Sequence, residues 1–401
     1  MGTVFNIVGC ECSKEPDKKL KRNNSVNAIN PIMVHDYSSS DMIFSTIIPR
    51  EIYRDQSKSS FSLTKSILKN KNYTNKDEIF EKYIKICILG KNNYNIVYKV
   101  YNKLTNKLQA MKKILKAKVE NNYDTKHIIN SISILNNLKH DNLIQLSEFY
   151  EDEKYFYIIT DLCEETFLDK ILEERITLCE FIVKFIMYRV FLGLYYLHKQ
   201  NIIHGDIKIT NIGFIYKEKY KVRNEIKIQI KDLIDEISDD IDLQEELNSN
   251  NYENLSFKGK KYIQNLYKYE IKILDCWSQE IFIKNLIDYQ NEDILLNINY
   301  YAPELFDGCI VKERDEWSCG ILMFKLLKGD YPFEGENKDE LVHDIINESI
   351  IDEINKLKVS NDCKDLMKKL LEKEPKKRIK VVDCLKHNYF KKGVKFRKKQ
   401  N

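Results

Sequence analysis

His204-Gly205-Asp206-Ile207-Lys208-Ile209-Thr210-Asn211 is the stretch on which the reading of this chain turns. It sets a carboxylate, an ammonium and a carboxamide close together, directly after an apolar run, Phe181 to His198, whose spacing is helical. Alone, Asp206 could be no more than a carboxylate capping a turn. The segments on either side, and their order, give it weight.

Upstream, Ile84, Ile86 and Ile88 alternate before Gly90 and an Asn-rich turn. The apolar stretch Ile96 to Val100, a second turn at Asn102 to Asn106 and a third run, Leu108 to Ile114, follow, which is a hairpin signal. Ile128, Ile132, Leu135 and Leu138 have helical spacing, and Tyr155 to Thr160 is again strand-like. Strands with one main helix predict a small α+β lobe over 80–160. Beyond it, helical periodicity dominates, as in Phe181 to His198, Trp317 to Leu327 and Cys363 to Leu371, and predicts a larger helical lobe over 161–390. Within that lobe, 216–269 is highly charged yet carries Ile226, Ile230, Leu233, Ile237 and Ile241 at helical spacing. It reads as a charged amphipathic insertion, either a surface elaboration or a docking element. Residues 1–79 form an arm, rich in Ser, Asn and Lys from 13 to 76 and without sustained periodicity, expected to be mostly disordered. Residues 391–401 are a basic tail.

The bulk composition excludes more than it asserts. Among 401 residues, 65 basic and 61 acidic side chains leave a net charge of +4, too little to direct the chain to nucleic acid, and no nucleic-acid partner is expected. Ten cysteines are scattered without zinc-ligand spacing, which points to a reducing compartment. The longest apolar run is cut by Arg189 and His198, and the N-terminus lacks a secretory pattern, so the expectation is a cytoplasmic chain without a membrane span.

Read in order, Leu89-Gly90 and Val97, Ala110-Met111-Lys112, the loop 204–211, Ile271-Lys272-Ile273-Leu274-Asp275, Tyr300-Tyr301-Ala302-Pro303-Glu304, Asp315-Glu316-Trp317-Ser318-Cys319-Gly320 and Pro375-Lys376-Lys377-Arg378 resemble the motifs of eukaryotic protein kinases of the serine/threonine type. Leu138-Lys139-His140-Asp141-Asn142-Leu143 and Pro375 to Phe390 bring the calcium/calmodulin-dependent group nearest. The resemblance spans about 80–390. It implies a bilobal α+β kinase fold, ATP with Mg2+ or Mn2+, and a protein substrate. By resemblance Asp206 accepts the proton of the substrate hydroxyl, Lys208 sits by the transferring phosphoryl group, and Lys112 reaches the α- and β-phosphates. Asn211 and Asp275 would hold the metal. Leu89, Gly90, Val97, Ala110, Thr160 as gatekeeper, and the hinge Asp161-Leu162-Cys163 would enclose the nucleotide. Glu304 would pair with Arg378, and Asp315 would begin a buried helix.

Five departures bear on catalysis. Asn92 and Asn95 replace the second and third glycines of the phosphate loop, putting side chains where backbone should approach phosphate. The helix glutamate that pairs with the strand lysine becomes Ser131, and no Glu lies between Glu120 and Glu148, so Lys112 is expected to have no carboxylate partner. One such transition-state contact is worth roughly 3 kcal/mol, about a hundredfold in rate. Gly205 replaces the arginine that usually receives an activation-loop phosphate, which argues against switching by phosphorylation there. Trp277 stands where a glycine follows the metal aspartate. The sequence therefore supports a slow, divergent Ser/Thr kinase, with a pseudokinase acting as a nucleotide-binding or scaffolding module as the alternative.

No DxDxDG-type loop occurs, so direct calcium binding is not expected. Met1-Gly2 with Cys10, Cys12 and the basic Lys18, Lys19, Lys21 and Arg22 looks like a dual-acylation anchor, with Gly2, Cys10 and Cys12 as acceptors. A plain disordered N-terminus is the other reading. The first would attach the chain to the cytosolic face of a membrane.

Overall fold

The computed structural model describes residues 76–91, 95–118, 132, 136–163, 177–217, 241–248, 256–276 and 298–391. The chain divides into two units, Met1–Ile48 and Pro49–Asn401, and every described residue belongs to the second.

A short helix α1 (Lys76–Lys82) leads into strands β1 (Tyr83–Lys91), β2 (Asn95–Asn102), β3 (Lys107–Leu115), β4 (Leu146–Glu151) and β5 (Tyr155–Asp161). They pair antiparallel in the order β1-β2-β3-β5-β4. The β2–β3 turn closes because the Asn102 side-chain oxygen accepts from the backbone N–H groups of Leu104 and Thr105, and Asn106 takes the left-handed conformation at φ 54°. Side chains alternate across a strand, so pairing register assigns each residue to a face. Val100, Met111 and Ile159 share one face and form a satellite core with Ile79, Tyr83 and Tyr157.

The alternating isoleucines that announce β1 do not line a core: Ile84, Ile86 and Ile88 are 47%, 52% and 57% exposed. Ile84 pairs with Tyr101, on the face opposite Val100 and the satellite core, and Ile86 is the unpaired residue of a register shift between Lys85 and Cys87. β1 is an edge strand, with a neighbour on one side only.

The second lobe is organised around helix α2 (Glu180–Lys199). By length and apolar content α2 would be able to cross a membrane, but it is largely buried inside the protein, as the central helix of a core. Strands β6 (Ile212–Tyr216) and β7 (Tyr269–Ile273) make a two-stranded antiparallel hairpin, with helices α3 (Ile241–Asn248) and α4 (Phe257–Leu266) between them. Then come α5 (Pro303–Phe306), α6 (Arg314–Lys328), α7 (Lys338–Asn347), α8 (Ile351–Lys356), α9 (Asn361–Leu370), α10 (Val381–Cys384) and α11 (Asn388–Lys391). Helix α6 stops at Gly329, whose φ of 79° is the left-handed turn that glycine adopts without a Cβ penalty.

The insertion is not confined to the surface. Leu247, Ile263 and Leu266 are buried in the main core, and the Asn248 side chain accepts from the N–H of Phe181 at 3.1 Å. It thereby caps the start of α2, where Cys179 makes no side-chain cap. The apolar positions Ile226, Ile230, Leu233 and Ile237 lie outside the described residues, as do most of the helix expected over 128–138 and the tail beyond Lys391. Of that helix, Ile132 is buried in the main core.

Candidate active site

The loop at 204–211 is held from below by a buried carboxylate. Asp315, in the first turn of α6, accepts from the backbone N–H of His204 at 2.8 Å and of Gly205 at 2.7 Å, and from His198 Nε2 at 2.8 Å. Burial opposes ionisation of such a group, but the bonds and charge of His198 and the N–H of Gly205 outweigh it and hold the Asp315 carboxyl below the usual carboxylate range. Burial would likewise lower His198, yet hydrogen bonds and charge from Asp315 and Glu316 raise it to about 10, so the ring is an imidazolium locked into the core. His204 is fully buried. Its Nε2 lies 2.8 Å from the carbonyl of Leu274 and its Nδ1 accepts from the N–H of Asp206 at 3.2 Å, a pattern that the Nε2–H tautomer satisfies.

These contacts present Asp206 at the loop's edge. Its carboxylate is 2.9 Å from Lys208 Nζ, and the Asn211 amide nitrogen donates to Asp206 Oδ2 and to its backbone oxygen, both at 2.8 Å. The loop is tied to the end of β7 by the N–H of Leu274 donating to the oxygen of Asn211 at 2.8 Å. The next residue is Asp275, at φ 55°, a left-handed conformation that aspartate tolerates better than most residues.

From the first lobe comes Lys112. Register places Gly90, Val97, Lys112 and Ile158 in one row across β1, β2, β3 and β5, and pairs Ala110 with Thr160 on the same face. Lys112 Nζ meets Asp275 Oδ2 at 2.8 Å. The expectation that this lysine lacks a carboxylate partner is therefore corrected: its partner is the aspartate of the second lobe. Sequence adjacency could not show this, because the two residues are 163 positions apart. Glu148, the nearest downstream glutamate, pairs across the sheet with Ile159, on the face opposite Lys112, and binds Lys82 Nζ at 2.5 and 2.7 Å. Burial would raise the Asp275 carboxyl, but the charge and hydrogen bond of Lys112, with the charge of Lys208, hold it below the ordinary range.

At the hinge, the Thr160 hydroxyl donates to the backbone oxygen of Asp161 at 3.2 Å. Cys163 packs so tightly on β6 that a Cβ at Gly213 would lie 2.5 Å from its sulfur. Leu89 sits at the β1 bulge beside Gly90 and is 49% exposed. Asn95, a phosphate-loop substitution, is buried at the start of β2. Asn92, Ser131 and Trp277, and the acylation candidates Gly2, Cys10 and Cys12, lie outside the described residues.

Away from the cleft, Arg378 and Glu304 form a bidentate pair, Nη1 to Oε1 at 2.6 Å and Nη2 to Oε2 at 2.9 Å. Arg314 escaped the sequence reading. Its Nη2 donates to the backbone oxygen of Gly205 at 2.7 Å, beneath the loop that lacks an arginine of its own. The only signal was an arginine immediately before Asp315.

As a metal site the donor set is hard and sparse. No group of three or more His, Cys, Asp or Glu with metal-binding proximity occurs among the described residues. The Asp275 carboxylate and the side-chain oxygen of Asn211, whose nitrogen is committed to Asp206, fit a Mg2+-type ion that draws its remaining ligands from phosphate and water.

Two lobes with this cleft define the protein kinase fold, and the comparisons with known proteins agree. A family described as the protein kinase domain matches residues 83–278 and 253–390. Calcium-dependent protein kinase 5 of Plasmodium falciparum (isolate 3D7) is 31% identical over 323 residues, covering 79% of this chain and 47% of the relative. Calcium-dependent protein kinase 3 of Plasmodium yoelii yoelii is 32% identical over 308 residues, covering 76% and 47%. The crystal structure of Rad53 1–466 in complex with AMP-PNP superposes with a TM-score of 0.53 at 20% identity, covering 78% of this chain and 66% of that one, a likeness of fold alone. The chain belongs to the protein kinase domain family, which uses ATP and a divalent metal and acts on proteins. It spans about half the length of the curated relatives it matches.

Proposed function

We propose that the chain is a slow serine/threonine kinase that transfers the γ-phosphate of ATP, with Mg2+ or Mn2+, to protein hydroxyls. The observation that supports it best is the convergence of Lys112, Asp206, Lys208, Asn211 and Asp275 from three separate stretches of sequence into one cluster joined by hydrogen bonds of 2.8–2.9 Å. Asp206 offers a carboxylate oxygen to the substrate hydroxyl, while Lys208 beside it supplies positive charge where negative charge gathers. Asp275 and Asn211 would hold the metal, whose charge would offset that of the phosphates. Lys112 is tethered to Asp275, which keeps its ammonium at the phosphate end of the cleft without a helix carboxylate. That tether is also the reason for slowness: a lysine engaged with the metal aspartate is less free to bind phosphate.

The test is transfer from labelled ATP, with Mg2+ and with Mn2+, to basic protein substrates, comparing wild type with Asp206→Asn and Lys112→Ala. Transfer lost in both variants supports a slow kinase. Wild-type transfer no higher than that of Asp206→Asn with either metal would leave a pseudokinase, in which the Lys112–Asp275 pair is a structural lock between lobes.

A further inference from the structure

Arg314 is a buried cation without a counterion among the described residues. Its residue is 5% exposed, its Nη2 donates to the backbone oxygen of Gly205, and its Nη1 is shielded from solvent with no hydrogen-bond partner among the described residues. Among the described residues no carboxylate lies within ion-pair distance of it. The adjacent Asp315 is occupied by His198, His204 and Gly205, and Glu304 is occupied by Arg378. A guanidinium removed from water with one neutral acceptor carries a desolvation cost that a single carbonyl does not offset, and an orphan N–H adds to it. An apolar side chain would be more stable there unless an anion completes the site. We propose that Arg314 is an oxyanion receptor beneath the 204–211 loop, built to take a phosphate group on Nη1 while Nη2 holds Gly205.

Phosphate fits better than the carboxylates of Asp315 and Glu304, which already have partners, and a doubly charged oxyanion makes the strongest charge-assisted bonds to a guanidinium. The position gives the site a consequence. Gly205 is the residue before Asp206, and the side chain of Tyr301 lies within the fields of both Asp206 and Arg314. An anion on Nη1 would stiffen the guanidinium, and through it the loop carrying Asp206. The missing arginine at 205 thus does not leave the loop without a guanidinium; helix α6 supplies one from 109 positions away. The phosphate has two possible sources, a phosphorylated hydroxyl of this chain or phosphate from solution.

The experiment measures Tm of the full chain, with and without prior phosphatase treatment, in chloride and in inorganic phosphate at equal ionic strength. It needs no transfer activity, so its failure and that of the kinase assignment are separable. If the source is solution phosphate, the phosphatase-treated protein gains roughly 2 °C at an anion concentration ten times its Kd. If the source is the chain, the untreated protein, shown by mass spectrometry to carry phosphate, melts higher than the treated one. Either contrast must vanish in Arg314→Met. Should that variant not fold, Arg314→Lys, which lacks the second nitrogen, must reduce the contrast. Absence of both contrasts in the wild-type protein overturns the proposal whatever the variants do, as does a contrast equal in wild type and Arg314→Lys.

Discussion

Replacing Arg378 by methionine removes the most heavily bonded side chain of the second lobe. All five of its donors are engaged, two with the Glu304 carboxylate and three with the backbone oxygens of Glu372, Glu313 and Lys373. The side chain is 0% exposed and that of Glu304 only 7%, so water does not screen the pair or rescue a lone partner. Arg378→Met therefore leaves a buried, unpaired carboxylate, at a cost of about 3–5 kcal/mol. Glu304→Leu leaves a buried guanidinium that keeps three carbonyl acceptors, and falls at the lower end of that range. The double variant leaves no unpaired charge and is predicted to be no less stable than Arg378→Met alone. The coupling is then about 3 kcal/mol or more, well above the additivity error of about 0.5. Urea unfolding of the four proteins at pH 7, fitted with a common slope, measures it. Additive losses, or a single-variant loss below about 1 kcal/mol, would refute the reasoning that desolvation makes this pair interdependent.

His198 supplies a pH dependence. Its folded pKa of about 10 lies above the ordinary histidine value, so its stabilisation is complete below pH 6.5 and declines by about 1.4 kcal/mol per pH unit until pH 10, where it is gone. Urea titrations of wild type and His198→Gln should show curves that converge as pH rises from 6.5 to 10; parallel curves would contradict a buried imidazolium. Gly213→Ala should destabilise by about 1–3 kcal/mol, because its Cβ would lie 2.5 Å from Cys163 Sγ, and Cys163→Ala in the same chain should recover part of the loss in a thermal melt. Asn248→Ala should cost about 1 kcal/mol by freeing the N–H of Phe181, a loss that an unpacked surface insertion would not show in urea unfolding.

The order of motifs along the chain was enough to determine the family and the two-lobe fold, because each motif is local: a strand carrying Lys112, a loop carrying Asp206, Lys208 and Asn211, and a strand followed by Asp275. Periodicity located α2, α6 and α9 to within a few residues, since burial of one helical face leaves its mark in consecutive sequence. The same logic misled at β1, where alternation implies a buried row but the strand lies at the sheet edge with its isoleucines exposed, and an edge position has no signature in a run of isoleucines. The partner of Lys112, the cap that Asn248 places on α2 and the guanidinium that Arg314 places under Gly205 were all invisible, because each joins residues far apart in the chain. What the sequence by itself determined was which chemical groups the protein carries and in what local frame. Which group neutralises which was decided only by tertiary structure, since electrostatic pairing depends on distance in space and on exclusion of water, and neither quantity is defined along a chain.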